Sequence, residues 1–249
     1  MTTPQPVENV FARAWALLTH NWILIVPGLL IGLIVGVINW VLAPHGYYDT
    51  GDATAVGPSL ARASRGFILW IVGIVAGIAN QAYTVGMAGA AWERGTATLA
   101  DGTASFREDA GRIVTTAIGL ILLGIVAAFF ALPTLGLSIL AFYVFTLYSM
   151  PAAIVGNRPG FSSIRESFMI SRARFVSTLI LGVMIVVIAL VGWLISLPLF
   201  FIPLLGPIIQ ACIVQAVVVY VTLCVVGEYL NLRAAAVIPP ASPPRATAI

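Results

Sequence analysis

Apolar residues gather into six long runs separated by short polar segments: Trp22–Leu42, Phe67–Ala91, Ile113–Leu132, Leu135–Val155, Phe175–Leu197 and Ile208–Leu230. Each run holds about 20 to 25 residues, enough for a helix to cross about 30 Å of hydrocarbon. None carries a central charge. The pattern predicts an all-α integral membrane protein with six transmembrane helices. The first run is too long for the apolar stretch of a secretory signal and is read as a span.

The connections carry a second pattern. In Val7–Leu18, the residues Val7, Val10, Phe11, Ala14, Trp15 and Leu18 share one helical face, and Glu8, Asn9 and Arg13 take the other. This is the signature of an amphipathic helix in the membrane interface. Phe106, Ala110, Ile113 and Val114 repeat at helical spacing before span three, and Phe161, Ile164 and Phe168 do so before span five. Ser105-Phe106-Arg107-Glu108 and Ser163-Ile164-Arg165-Glu166 share the form S-x-R-E. The chain therefore reads as three repeats of an interfacial helix plus a helical hairpin. Residues 1–20 form the N-terminal interfacial segment, 21–232 the six-helix domain, and 233–249 a Pro- and Ala-rich tail expected to be disordered. Ala43–Gly66 reads as a polar loop and Leu132-Pro133-Thr134 as a tight hairpin. Pro198–Pro207, with three prolines, is no regular helix and reads as an interfacial or re-entrant segment.

Composition agrees. The chain is 60% hydrophobic and 8% charged, against roughly 25% charged in soluble domains. All twelve basic residues are arginine. Arg13, Arg94, Arg107, Arg112, Arg158, Arg165, Arg172, Arg174, Arg233 and Arg245 lie on one side of the six-span arrangement, and only Arg62 and Arg65 on the other. The positive-inside rule then puts both termini in the cytoplasm, for a multi-pass protein of the bacterial inner membrane. A net charge of +3 spread over short connections is topological, and no nucleic-acid partner is expected.

Three motifs bear on this reading: the opening Phe11-Ala12-Arg13-Ala14-Trp15, the Ser163–Ser171 stretch and the closing Glu228-Tyr229-Leu230-Asn231-Leu232-Arg233. With these the chain resembles a group of bacterial six-span proteins that includes the membrane domain preceding some glycerophosphodiester phosphodiesterases. In that group the close carries an acid where Asn231 stands here. The resemblance implies the six-span fold and brings no catalytic residue with it.

Candidate chemistry is sparse. Asn80 and Gln81 in span two, with Tyr83 and Thr84, and Gln210 and Gln215 in span six are costly in lipid. They either bond across helices or line a polar path. Tyr143, Thr146, Tyr148 and Ser149 in span four read as packing and hydroxyl-to-carbonyl bonding. Glu228 reads as a headgroup-level carboxylate paired with an arginine. Gly28, Gly32 and Gly36 form a stripe on span one, and Gly73 and Gly77 a shorter one on span two, as in helix packing by close backbone approach. Pro27 and Pro151 are expected to kink their spans. His20 and His45 fall on opposite sides of the membrane. Cys212 and Cys224 are twelve residues apart, about 18 Å along one helix. No metal, cofactor or catalytic constellation emerges. The sequence thus points to a non-catalytic membrane protein that organises or contacts lipids and other membrane proteins. Its expected partners are anionic headgroups on the cytoplasmic side, met by Arg13, Arg107, Arg112, Arg165, Arg172 and Arg174, and a membrane-protein partner or a second copy. The alternative is a transporter or channel for a small or lipidic solute, using the amides of spans two and six.

Overall fold

A computed structural model describes residues 6–42, 56–201 and 205–235. Among these residues the chain is helical and without strands. The order is α1 (Val7–His20), α2 (Val26–Leu42), α3 (Val56–Arg94), α4 (Leu99–Glu108), α5 (Ala110–Phe129), α6 (Leu137–Thr146), α7 (Ser149–Ile154), α8 (Phe161–Ala173), α9 (Phe175–Ser196) and α10 (Leu205–Ala234). Five segments are long and apolar enough to cross a membrane, with α6 and α7 counted as one. A sixth, Trp22–Ile38, meets α1 at 89° and passes only together with it.

That right-angle bend is held by one side chain. Asn21 is 6% exposed. Its Nδ2 donates to Leu17 O and Gly95 O at 3.0 Å each, and its Oδ1 accepts from Ala97 N at 3.0 Å. The amide thus closes the end of α1 and the turn after α3 together, satisfying backbone groups that neither helix end can satisfy alone. α1 also lies on α10, where the Tyr220 hydroxyl donates to Phe11 O at 3.3 Å and Trp15 meets the Tyr220 ring edge-on at 5.8 Å. The apolar face expected to meet lipid is largely turned onto protein: Val10, Ala14, Leu17 and Leu18 are buried, while Trp15 stays exposed.

Span four runs as one apolar segment, Leu137–Ile154, with an irregular turn inside it. Turn geometry separates α6 from α7 at Leu147 and Tyr148, four and three residues before Pro151. At this turn Tyr148 N leaves the helical ladder, so Val144 O and Phe145 O take donors from outside the span. Helix α8 supplies them. Ser171 Oγ donates to Val144 O at 3.0 Å, Ser167 Oγ donates to Phe145 O at 2.7 Å, and Tyr148 N donates to Ser167 Oγ at 3.1 Å. Ser163, four residues earlier on the same face, meets the Thr116 hydroxyl of α5 at 3.0 Å.

Three boundaries differ from the hydropathy reading. Helix α3 begins at Val56, inside the expected loop, because helical backbone continues past the apolar run; residues 43–55 lie outside the described chain. Pro198–Phe201 belongs to a 3-10 turn, but Gly206 and Pro207 lie in the first turn of α10. A proline there costs nothing, since first-turn N–H groups have no helical partner. Helix α10 also takes in Arg233 and Ala234, while the expected tail from residue 236 onward lies outside the description. The hairpin near Pro133 closes with Gly136 at φ 83°, its N–H donating to Ala131 O at 2.7 Å.

Helix α4 starts with a capping box in which Thr98 and Asp101 exchange hydrogen bonds. Partial burial would raise the Asp101 pKa, but hydrogen bonds from Arg94 and Thr98 outweigh it and hold the carboxyl below its ordinary value. A lowered folded pKa means stability present above the unfolded pKa, near 4, and lost as pH falls through the folded one. We expect Asp101→Asn to lower thermal stability at pH 7 by about 1 kcal/mol. The gap from the wild type should close below about pH 4, as followed by thermal melts in detergent across pH.

Candidate functional site

Helices α2, α3 and α10 meet at a polar node inside the bundle. Asn80 Nδ2 donates to Gln215 Oε1 at 3.3 Å, and Gln215 Nε2 donates to Asn80 Oδ1 at 3.3 Å. Each amide therefore gives one hydrogen bond and takes one, which lowers the cost of placing both in lipid. The Thr84 hydroxyl returns a bond to Asn80 O at 2.7 Å. Gln215 is 7% exposed, and its amide lies where Gly28 lacks a side chain: a Cβ there would sit 1.8 Å from Gln215 Nε2. Glycine at 28 is thus required by an amide, not by an approaching backbone.

The node gathers only part of the sequence-derived set. Gln81 is exposed on the outside of the bundle and Gln210 is half-buried; neither bonds to the node. Among the described residues nothing lies within 4 Å of a Cβ built on Gly32, Gly36, Gly73 or Gly77. Gly32 and Gly36 instead line an open apolar crevice of about 580 Å³ with Leu33, Ile208, Ala211 and Cys212. Other glycines, outside the stripes, make room for side chains. Gly227 admits the Trp92 ring, which a Cβ would meet at 2.1 Å, and Gly86 admits Ser105, met at 2.6 Å.

The arginines divide in two. Arg13 lies 4.7 Å over the Trp92 ring and donates to Trp92 O at 3.0 Å, so it closes the end of α3. Trp92 in turn donates to Leu223 O at 2.9 Å. Arg112 pairs with Asp109, whose carboxyl burial pushes above its ordinary range despite that neighbour. Glu228 is 2% exposed, inside the bundle, and accepts from Asn231 at 3.1 Å. Arg107, Arg165 and Arg172 are exposed and make no ion pair among the described residues.

Sequence reasoning missed a second buried cluster at the same end. Arg158 pairs with Glu166, the Tyr229 hydroxyl donates to Glu166 Oε1 at 2.8 Å, and Arg233 donates to Val155 O at 3.1 Å. Gly156 leaves room for this, since a Cβ there would lie 2.1 Å from the Tyr229 hydroxyl. The two S-x-R-E segments part company here. Glu166 is buried in the cluster, whereas Glu108 is exposed. Their serines behave alike, Ser105 resting against Gly86 and Ser163 against Thr116. A legible signal existed: Ser163, Ser167 and Ser171 recur every fourth residue just after a proline-bearing span.

The node makes two substitutions differ sharply. Gly28→Ala should displace Gln215 and destabilise the protein by about 1–3 kcal/mol, while Gly32→Ala should leave the melting point of the detergent-solubilised monomer near that of the wild type. In a double-mutant cycle, Asn80→Leu and Gln215→Leu should couple by about 0.6 kcal/mol and no more than about 1.7. A coupling of zero would mean that the amides do not bond.

Comparison of the chain with protein-family models, with curated proteins and with solved structures finds no match.

Proposed function

We propose that this chain is a non-catalytic membrane protein that organises lipid and neighbouring membrane proteins at the cytoplasmic face of a bacterial inner membrane. In this reading six spans cross the bilayer, both termini are cytoplasmic, and three repeats of interfacial helix plus hairpin build the domain. The observation that carries it is the reciprocal Asn80–Gln215 pair beneath Gly28. The intramembrane amides best placed to line a path are spent on each other, which favours packing over solute passage. Arginine supports the orientation: the connections holding α1, α4 and α8 carry most of the basic charge. Arg107, Arg165 and Arg172 remain available to anionic headgroups, whereas Arg13 and Arg112 are engaged within the chain. Gly32 and Gly36, open on the outside of α2, are where a second copy or another membrane protein approaches closely.

Cysteine accessibility separates this reading from a transporter. In a variant lacking Cys212 and Cys224, single cysteines are placed at Ala100, Thr50 and Gln215 and treated in intact cells with an impermeant thiol reagent. Position 50 should label, position 100 should label only after the membrane is opened, and position 215 should stay silent in both conditions. Labelling of position 215 in a folded protein would replace the organising role with a hydrated solute path. External labelling at position 100 would overturn the topology.

A further inference from the structure

Helix α8 sets its serine face against the bundle instead of in water. Interfacial helices ordinarily sink an apolar face into the membrane and keep the polar face in water. Here the polar face is buried in the bundle: Ser163, Glu166, Ser167 and Ser171 are all 4% exposed or less. The turn inside span four accounts for this, because its carbonyls accept from the serine hydroxyls. The apolar residues Phe161, Phe168 and Met169 are therefore turned outward, at 59%, 49% and 47% exposure.

That outward face does not stand free of the bundle. The Thr116–Ser163 bond pins α8 to α5. Gly119 lets the two helices approach, since a Cβ there would lie 2.5 Å from Ile164 Cδ1 and 2.8 Å from Phe161 Cε1. Between them runs an open crevice of about 490 Å³, lined by Gly119, Leu122, Leu123, Phe161, Ile164, Arg165 and Phe168. Six of these seven residues are apolar, and the one charge is a guanidinium. No carboxylate lines the crevice to neutralise it, and Arg165 makes no ion pair among the described residues.

From this we infer that the α5–α8 crevice is a binding site for one anionic phospholipid, with an acyl chain along Leu122, Leu123 and Phe168 and the phosphate on Arg165. The charge pattern selects this occupant. A neighbouring apolar helix would leave the guanidinium without a counter-charge at its edge, whereas a lipid supplies chain and anion in one molecule. A planar guanidinium also matches two phosphate oxygens at once. The crevice between α2 and α10 is lined by apolar residues and Cys212 with no charged side chain, so it has no means of selecting an anion. The inference rests on the lipid-contacting reading above and narrows it to one site.

The full chain, purified in neutral detergent, is titrated with phosphatidylglycerol, phosphatidylcholine or soluble glycerol phosphate, and bound lipid is counted by native mass spectrometry. Wild-type protein should bind phosphatidylglycerol more tightly than phosphatidylcholine and should not take up glycerol phosphate. Arg165→Gln should weaken phosphatidylglycerol binding about tenfold and erase the preference. Leu123→Trp, which fills the crevice from a lipid-exposed position, should weaken both lipids. Leu33→Trp, in the crevice without a charge, should change neither. Circular dichroism and elution volume identify any variant that has not folded, in which case Leu122→Trp takes its place. If the wild type prefers phosphatidylglycerol but Leu123→Trp and Leu122→Trp bind it unchanged, the attraction is diffuse; the site is then wrong while the lipid-contacting reading stands. If the wild type shows no preference, the anionic-lipid reading and the site fall together. Uptake of glycerol phosphate would mean a free-phosphate site instead.

Discussion

In hydrocarbon no water is available to pair a backbone N–H or C=O, so every departure from regular helix must be answered by a side chain of the protein itself. The interior of this chain is arranged around that demand. Two irregular places show it, the 89° turn after α1 and the turn inside span four. In each, short polar side chains take the place of water. Asn21 serves the first with three bonds to backbone. Ser167 and Ser171 serve the second. Because the serines must face span four, the orientation of α8 is settled, and with it the outward display of its phenylalanines.

The arginine-rich end is consequently the most heavily cross-linked part of the molecule. Arg13 and Trp92 tie α1 to α3 and α10. The Arg158–Glu166 pair and the Tyr229 hydroxyl tie the connection after α7 to α8 and α10. A buried ion pair contributes little net stability, since desolvation offsets much of the attraction. Removing one partner is costly because it strands the other. These contacts therefore specify how the connecting segments sit more than they add to stability. The opposite half of the spans, where Gly32, Gly36, Gly73 and Gly77 lie, has wide apolar exposure, as expected where lipid is the solvent.

This division bears on function. Within the spans Asn80 and Gln215 pair with each other, while Arg107, Arg165 and Arg172 lie exposed on the connecting helices. The proposed lipid-contacting role draws on this arrangement. The crevice between α5 and α8 has apolar walls and includes the exposed Arg165 among its lining residues.

Much of this was legible in the amino-acid order. Apolar runs of spanning length, the amphipathic Val7–Leu18 segment and the arginine asymmetry are one-dimensional properties, and hydrocarbon thickness translates them directly into helices. The expense of Asn80 and Gln215 in lipid was legible as well; their partnership was not, because it joins residues 135 positions apart. The glycine stripe illustrates the same limit. Spacing alone marks Gly28, Gly32 and Gly36 as equivalent, yet one accommodates an amide and the others look onto open space, because the neighbour each faces depends on where α10 lies. Hydropathy likewise placed the phenylalanines of α8 on one face without saying that its serines would be the buried side. What the sequence by itself determined was the solvent, the helices and the charge asymmetry, since these depend on composition and local period. Which polar atoms meet, which glycines are filled and which face of α8 turns outward were decided only by the tertiary structure, because each depends on contacts between residues far apart in the chain.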